Sequence, residues 1–186
     1  MAERVCPWWM GYFLVSPIRR WMQDPEELLR PYLWSGMTIL EPGPGMGFFT
    51  VPAAQMIGET GRVIAVDIQA KMLASLRRRA AKAGVANRVG TRLAKPDSLG
   101  IDDLKSAVDL VLAIAVVHEM PSAEVLFREA AAALKPGRRM LLIEPAGHVK
   151  ADSFERELEL AQRHGLRVQD RLEIRRCFGA ALGKEP

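Results

Sequence analysis

Thr38-Ile39-Leu40-Glu41-Pro42-Gly43-Pro44-Gly45-Met46-Gly47 opens as a short apolar run and closes in a turn built of glycine and proline. The run reads as a buried strand, and the turn leads into a helix expected to begin near Phe48. Glycines at a strand-to-helix corner let the backbone turn tightly and come close to a ligand, while helix N–H groups face the same crevice. The stretch therefore predicts a pocket of nucleotide size at the end of a first strand. Its bland alternative is a tight structural turn.

The same grammar repeats outward from this corner. Arg62–Asp67 (RVIAVD) is again an apolar run ending in an acid, and Arg88–Leu93, Val108–Ile114 and Arg139–Ile143 are further strand candidates, rich in Val, Ile and Leu without strict alternation. Continuous apolar strands suit a sheet covered on both faces, which is usually parallel. Between them lie helical patterns. Met72, Leu76 and Ala80 recur at four-residue spacing, as do Leu126, Ala130 and Leu134, the second run opening at Ser122 as N-cap and stopping at Pro136-Gly137. Asp24 and Asp152, each followed three residues on by Glu, mark two more helix starts, the latter helix ending at Gly165. Two short pieces, Leu166–Gln169 and Cys177–Leu182, are expected to pair as an antiparallel edge. Alternation of strand and helix predicts a doubly wound α/β fold.

The glycine spacing narrows the ligand. A dinucleotide loop of the form G-x-G-x-x-G would put its last glycine at position 48, which is Phe48; the spacing here is G-x-G-x-G. Glu41 beside the loop would repel a phosphate, whereas a cationic ligand would be attracted. Asp67 ends the second strand 20 residues beyond Gly47, where a carboxylate can accept hydrogen bonds from ribose hydroxyls. On these residues the chain resembles the class I S-adenosylmethionine (SAM)-dependent methyltransferases, small-molecule type, whose first motif is an acid followed by G-x-G-x-G. Two later stretches extend the resemblance in order: Asp109-Leu110-Val111-Leu112-Ala113-Ile114-Ala115-Val116-Val117-His118-Glu119 is similar to the family's fourth strand, and Leu134-Lys135-Pro136-Gly137 to the lead-in to its fifth. Together they span roughly residues 36 to 184.

The resemblance implies a Rossmann-like fold: a mostly parallel seven-stranded sheet with an antiparallel C-terminal strand and helices on both faces. It implies SAM as cofactor, S-adenosylhomocysteine as product and a small-molecule methyl acceptor. Gly43, Gly45 and Gly47 would cradle the cofactor, with Glu41 near its methionine end, Asp67 on its ribose, Ile68 against adenine, Ala94 and Lys95 at the adenine edge, and Ala113 on the fourth strand. The third-strand segment departs from the family, which often has an acid there; this chain has Ala94-Lys95-Pro96-Asp97, and Asp97 or backbone groups would have to serve instead.

His118 and Glu119 follow a central strand, where open α/β sheets place their ligands, and either is a candidate base for an acceptor that carries a proton. The competing reading of His118 is a residue that caps a helix or packs under the loop. His148 is placed to reach the same mouth, and His164, beside Gly165, reads as a cap complementing a helix dipole. Upstream of the first strand, Cys6-Pro7-Trp8-Trp9 with Met10, Tyr12, Phe13 and Leu14 gathers aromatic residues outside the core pattern. Residues 1–35 are expected to form a helical cap or lid; the rivals are a homodimer or partner surface and loose membrane contact. On the partner reading, the chain would be a SAM-binding regulatory subunit without catalysis.

Composition sets the remaining bounds. At 186 residues, 49% hydrophobic and 26% charged, the chain has the size and make-up of one globular domain. Its two cysteines, Cys6 and Cys177, stand at opposite ends and supply neither a disulfide framework nor a CxxC metal site, so no metal is expected. The N-terminal acid Glu3 is wrong for a signal peptide and no apolar stretch reaches the length of a membrane span, which gives a soluble, cytoplasmic protein as the expectation. The net charge of +4 is spread among nearly as many acids, and the densest cluster, Arg77-Arg78-Arg79, sits in a helical pattern. It reads as a solvated helix face before it reads as a nucleic-acid contact. The [DNS]-P-P-[YFW] element of many amino-base methyltransferases is missing after strand four, where Ala113-Ile114-Ala115-Val116 stands instead. Nucleic acid is therefore not the expected acceptor.

Overall fold

The computed structural model describes residues 24–185. Seven strands are present: β1 (Thr38–Pro42), β2 (Arg62–Asp67), β3 (Val89–Leu93), β4 (Val108–Ile114), β5 (Leu134–Pro145), β6 (Leu166–Arg171) and β7 (Cys177–Lys184). The helices are α1 (Pro25–Leu29), α2 (Thr50–Met56), α3 (Ala70–Lys82), α4 (Ala123–Ala133) and α5 (Ala151–Arg163). The strands make a seven-stranded sheet of order β3-β2-β1-β4-β5-β7-β6, mostly parallel, with β7 antiparallel to both of its neighbours. This is the Rossmann-like architecture that the resemblance implies, and its strand-helix alternation is the one read from the apolar runs.

The described residues fall into two units, 24–94 and 95–185. In the first, β1 pairs parallel with β2 and β2 with β3. Ile39, Leu40, Val63, Ile64, Ala65 and Val66 are buried, as the unbroken apolar runs require. The amphipathic α3 turns Met72, Leu73, Leu76 and Ala80 inward. Its three consecutive arginines are each spent locally: Arg77 donates to Thr91 Oγ1 (2.9 Å), Arg78 to Ser75 Oγ (2.9 Å) and Arg79 to the Met46 carbonyl (2.8 Å). Their hydrogen bonds serve the fold, and Arg79 braces the glycine loop itself.

In the second unit every residue of β4 is buried, and β4 pairs parallel with β5. Ser122 caps α4 through a hydrogen bond from the Val125 N–H, as the sequence pattern predicts. That helix stops earlier than the apolar spacing suggests. It ends at Ala133, and Leu134 already pairs with Val108 as the first residue of β5. Pro136-Gly137 lies in an irregularity, because between Val108 and Leu110 the partner moves from Leu134 to Arg139. A proline that cannot donate and a glycine at φ +70° suit a bulge as well as they suit a helix stop. Asp109 anchors this stretch, accepting from Lys135 at 2.7 Å with Arg138 at 3.5 Å.

Two helix starts differ from the sequence reading. Asp152 lies within the first turn of α5, whose N-cap is Lys150; the acid favours the helix N-terminus there without closing it. Phe48 and Phe49 belong to the turn before α2, which begins at Thr50. Cys177 is half-buried. His164 occupies the C-cap of α5, in line with its expected place, and pairs with Glu124 at 3.1 Å. Of the expected cap over residues 1–35, α1 and the turn after it are seen, with Asp24 accepting from the Glu26 N–H. Cys6, Trp8, Trp9, Met10, Tyr12, Phe13 and Leu14 lie outside the described residues.

Candidate functional site

The glycine loop of the first unit has the conformation its composition demands. Gly43, Gly45 and Gly47 adopt φ of +65°, +55° and +85°, a region that side chains other than glycine rarely enter. Each has a further function. The Gly43 N–H donates to the Val66 carbonyl at 2.8 Å, tying the loop to β2. At Gly47 a Cβ would meet Leu76 Cδ1 of α3 at 2.3 Å, so the loop and helix can be this close only because the side chain is missing. At Gly45 a Cβ would meet nothing within 4 Å, which leaves the loop backbone open on that side.

Under the loop lies Glu41, on β1 and 4% exposed. Its Oε2 is buried with no hydrogen-bond partner, and the buried hydroxyl of Thr50 at the start of α2 is in the same condition. Burial pushes the Glu41 carboxyl up to about 7; the nearby Thr50 hydroxyl works against that rise, and the Asp67 charge adds to it. A buried carboxyl with an unsatisfied oxygen is costly unless a ligand completes it. The donor it lacks is a cation or an N–H, which fits the ammonium end of SAM.

Asp67 closes β2, and the Gln69 N–H donates to its Oδ1 at 2.8 Å, fixing the carboxylate at the strand end. The Ala94 N–H donates to the Asp67 carbonyl at 3.0 Å, so Asp67 and Ala94 meet at the carboxyl ends of β2 and β3. Ile68 and Leu93 leave their apolar side chains 41% and 62% exposed beside them. Exposed aliphatic groups at a strand end suit the flat face of a ring. Of the other residues assigned to the cofactor, Lys95 is exposed and paired through its backbone with Ser98, and Ala113 is fully buried in β4 opposite Leu142.

The second unit holds its own cluster. Just beyond β4, Ala115 sits at φ +54°, a left-handed conformation that costs a residue with a Cβ on the order of 1 kcal/mol. The kink turns the chain so that Val116 and Val117 aim their N–H groups at one oxygen of Glu144, Oε1, at 3.1 and 2.9 Å. The other oxygen, Oε2, is hydrogen-bonded with His118 Nδ1. Glu144 is fully buried near the end of β5. The His118 and His148 rings meet edge to face with centroids 5.4 Å apart, so both histidines expected at this mouth are brought together. Glu119 Oε1 stands 3.9 Å from His118 Nε2, outside hydrogen-bond reach.

Burial disfavours the His118 imidazolium, yet the Glu144 hydrogen bond and the charges of Glu144, Glu119 and Glu157 outweigh it, and His118 titrates above the ordinary histidine value. Glu157, on α5, is pushed up to about 7, by burial first and by the Glu144 charge second, with His118 opposing. Its Oε2 is buried without a hydrogen-bond partner. Sequence reasoning missed both Glu144 and Glu157. Glu144 carried a usable signal, an acid closing an apolar strand run as Glu41 and Asp67 do; Glu157 is one of several acids on a charged helix and carried none.

With this geometry in place, the comparisons with known proteins are specific. A family model described as a methyltransferase domain matches residues 39–137, from β1 through the lead-in to β5. The chain is 34% identical over 107 residues to an arsenite methyltransferase of Halobacterium salinarum, and 30% identical over 109 residues to the ubiquinone/menaquinone biosynthesis C-methyltransferase UbiE of an Enterobacter species. These matches cover 58% and 59% of this chain, but it spans only 27% and 43% of the two relatives. Among solved structures, a SAM-dependent methyltransferase from Aquifex aeolicus superposes with a TM-score of 0.85 at 25% identity, covering 96% of this chain and 99% of that one.

Proposed function

The chain belongs to the methyltransferase-domain family, in its class I, SAM-dependent branch, and from that premise we propose that it transfers the methyl group of SAM to a small-molecule acceptor. Glu41 carries the proposal. A buried carboxyl with an orphaned oxygen, beneath a loop of three left-handed glycines, is suited to a cationic amino acid moiety. Asp67 would hold the ribose hydroxyls, Ile68 and Ala94 would border adenine with Leu93 beside them, and Gly45 would let the cofactor lie against bare backbone. Lys95 and Ala113 would add backbone contacts at most, one being exposed and the other enclosed in β4.

SAM, when bound, would supply an electrophilic methyl group to a lone pair of the acceptor, with sulfur as the leaving group keeping the electron pair of the carbon–sulfur bond. The protein's share is alignment and, for an acceptor that carries a proton, removal of that proton. His118 is the proposed base, with Glu119 beside it. A small-molecule acceptor is supported by the arsenite and quinone-pathway names of the two relatives and by the lack of a [DNS]-P-P-[YFW] element after β4. A cytoplasmic setting goes with such an acceptor; no described helix is long and apolar enough to cross a membrane.

Isothermal titration of the protein with SAM, S-adenosylhomocysteine and NAD tests the reading. Micromolar binding of the first two and none of NAD is expected. Binding of NAD alone would overturn it, and SAM binding without turnover against a panel of acceptors would favour a regulatory subunit instead.

A further inference from the structure

The His118–Glu144 pair has features that a capping histidine does not need. Glu144 Oε1 accepts two backbone N–H groups, from Val116 and Val117, which leaves Oε2 to His118 Nδ1. A carboxylate has no hydrogen to offer, so opposite one the neutral ring carries its hydrogen on Nδ1 and its lone pair on Nε2. The left-handed Ala115 and the two N–H bonds fix the backbone that leads into His118.

We propose that Glu144 is a positioning residue that locks His118 in the Nδ1–H tautomer and presents Nε2 as the proton-accepting nitrogen, with Glu157 of α5 facing the same pair. The base role of His118 rests on the methyltransferase reading; the lock itself does not. When Nε2 takes the acceptor's proton, the acceptor keeps the bonding electron pair, the ring becomes an imidazolium, and its positive charge is shared with Glu144 through the Nδ1–H. Glu157, whose buried oxygen lacks a partner, adds a carboxyl that can hold a proton in the same neighbourhood. The groups facing His118 are thus Glu119 from its own turn, Glu144 from β5, His148 from the loop after β5, and Glu157 from α5.

The test uses the full-length protein with no ligand, labelled with nitrogen-15, and reads the imidazole nitrogens by NMR across pH 5 to 9. Only three histidines are present, and H118Q identifies the His118 signals by their loss. The neutral ring is expected as the Nδ1–H tautomer with a midpoint above that of a free histidine. In E144Q the amide oxygen can still accept from Val116 and Val117 while its NH2 group donates to Nδ1. The tautomer should therefore reverse to Nε2–H and the midpoint should fall. E157Q should keep the tautomer and lower the midpoint by less. A wild-type ring in the Nε2–H form, or an unchanged midpoint in a folded E144Q, overturns the proposal; if E144Q fails to fold, the wild-type tautomer alone decides. Because no cofactor is present, failure of SAM to bind would leave this result standing and overturn only the proposed function.

Discussion

Individual carboxyls carry most of the chemistry. Asp67→Ala should weaken SAM binding by roughly 1 to 3 kcal/mol, the loss of charged hydrogen bonds to ribose, measured by titration calorimetry. Unchanged affinity would remove Asp67 from the site. Glu41 makes a sharper prediction. In the free protein its carboxyl is held up to about 7 by burial, but pairing with an ammonium requires the ionised form. SAM affinity should therefore rise between pH 5.5 and 7.5 as the cost of removing that proton disappears, by up to about tenfold per pH unit well below the midpoint. Glu41→Gln should flatten the profile, and a flat wild-type profile would separate Glu41 from the ammonium. The glycine spacing and the acids at positions 41 and 67 were legible because each is local: a strand, a turn and a charge adjacent in sequence. Glu144 belongs to the same pattern. It was hidden because the strand was read as ending at Ile143, two residues short of Pro145, where β5 ends.

Elements hold these residues in place. The Gly47 corner requires α3 to approach with Leu76 pressed where a Cβ would be, and Leu76 is itself fully buried with little room to retreat. Gly47→Ala combines a left-handed backbone with that collision. It should cost about 1 to 3 kcal/mol in chemical denaturation and weaken SAM binding with it. A substitution as stable as the parent would mean that loop and helix can part freely. The element types and most strand cores were readable from apolar runs, since β2 and β4 have the bounds the sequence predicts. Helix ends were not. Leu134 continues the four-residue spacing of α4, but its backbone pairs with Val108, and a tertiary strand partner outweighs one more helical turn.

For the whole molecule, titration and cover give two further tests. Glu41, Glu157 and His118 all hold their proton more firmly folded than unfolded. For each, the folded value lies above the unfolded one, so the stability it contributes is complete below the unfolded value and is lost as pH rises through the folded value. Without ligand the protein should thus be more stable to heat at pH 5.5 than at pH 8. For Glu41 alone, a rise from 4.5 to about 7 corresponds to at most about 3 kcal/mol. Glu41→Gln should shrink the difference, and melting that is equal at both pH values would contradict the assignment. Deleting residues 1–22 should impair turnover while leaving SAM affinity and the number of chains per particle unchanged if that segment is a lid. A change in that number would make it an association surface.

The strand order has a consequence in time. β7 leaves the ribosome after β6, yet it lies between β5 and β6, pairing with both. Its Phe178 sits across from Glu144 and stacks on Phe154 of α5, the helix that carries Glu157. A nascent chain can form its glycine corner as soon as three strands have emerged. It cannot seal the carboxyl pair behind His118 until the last described strand has been threaded into its slot. Vectorial synthesis therefore sets an order of maturation, with the glycine corner formed first and the surroundings of Glu144 last.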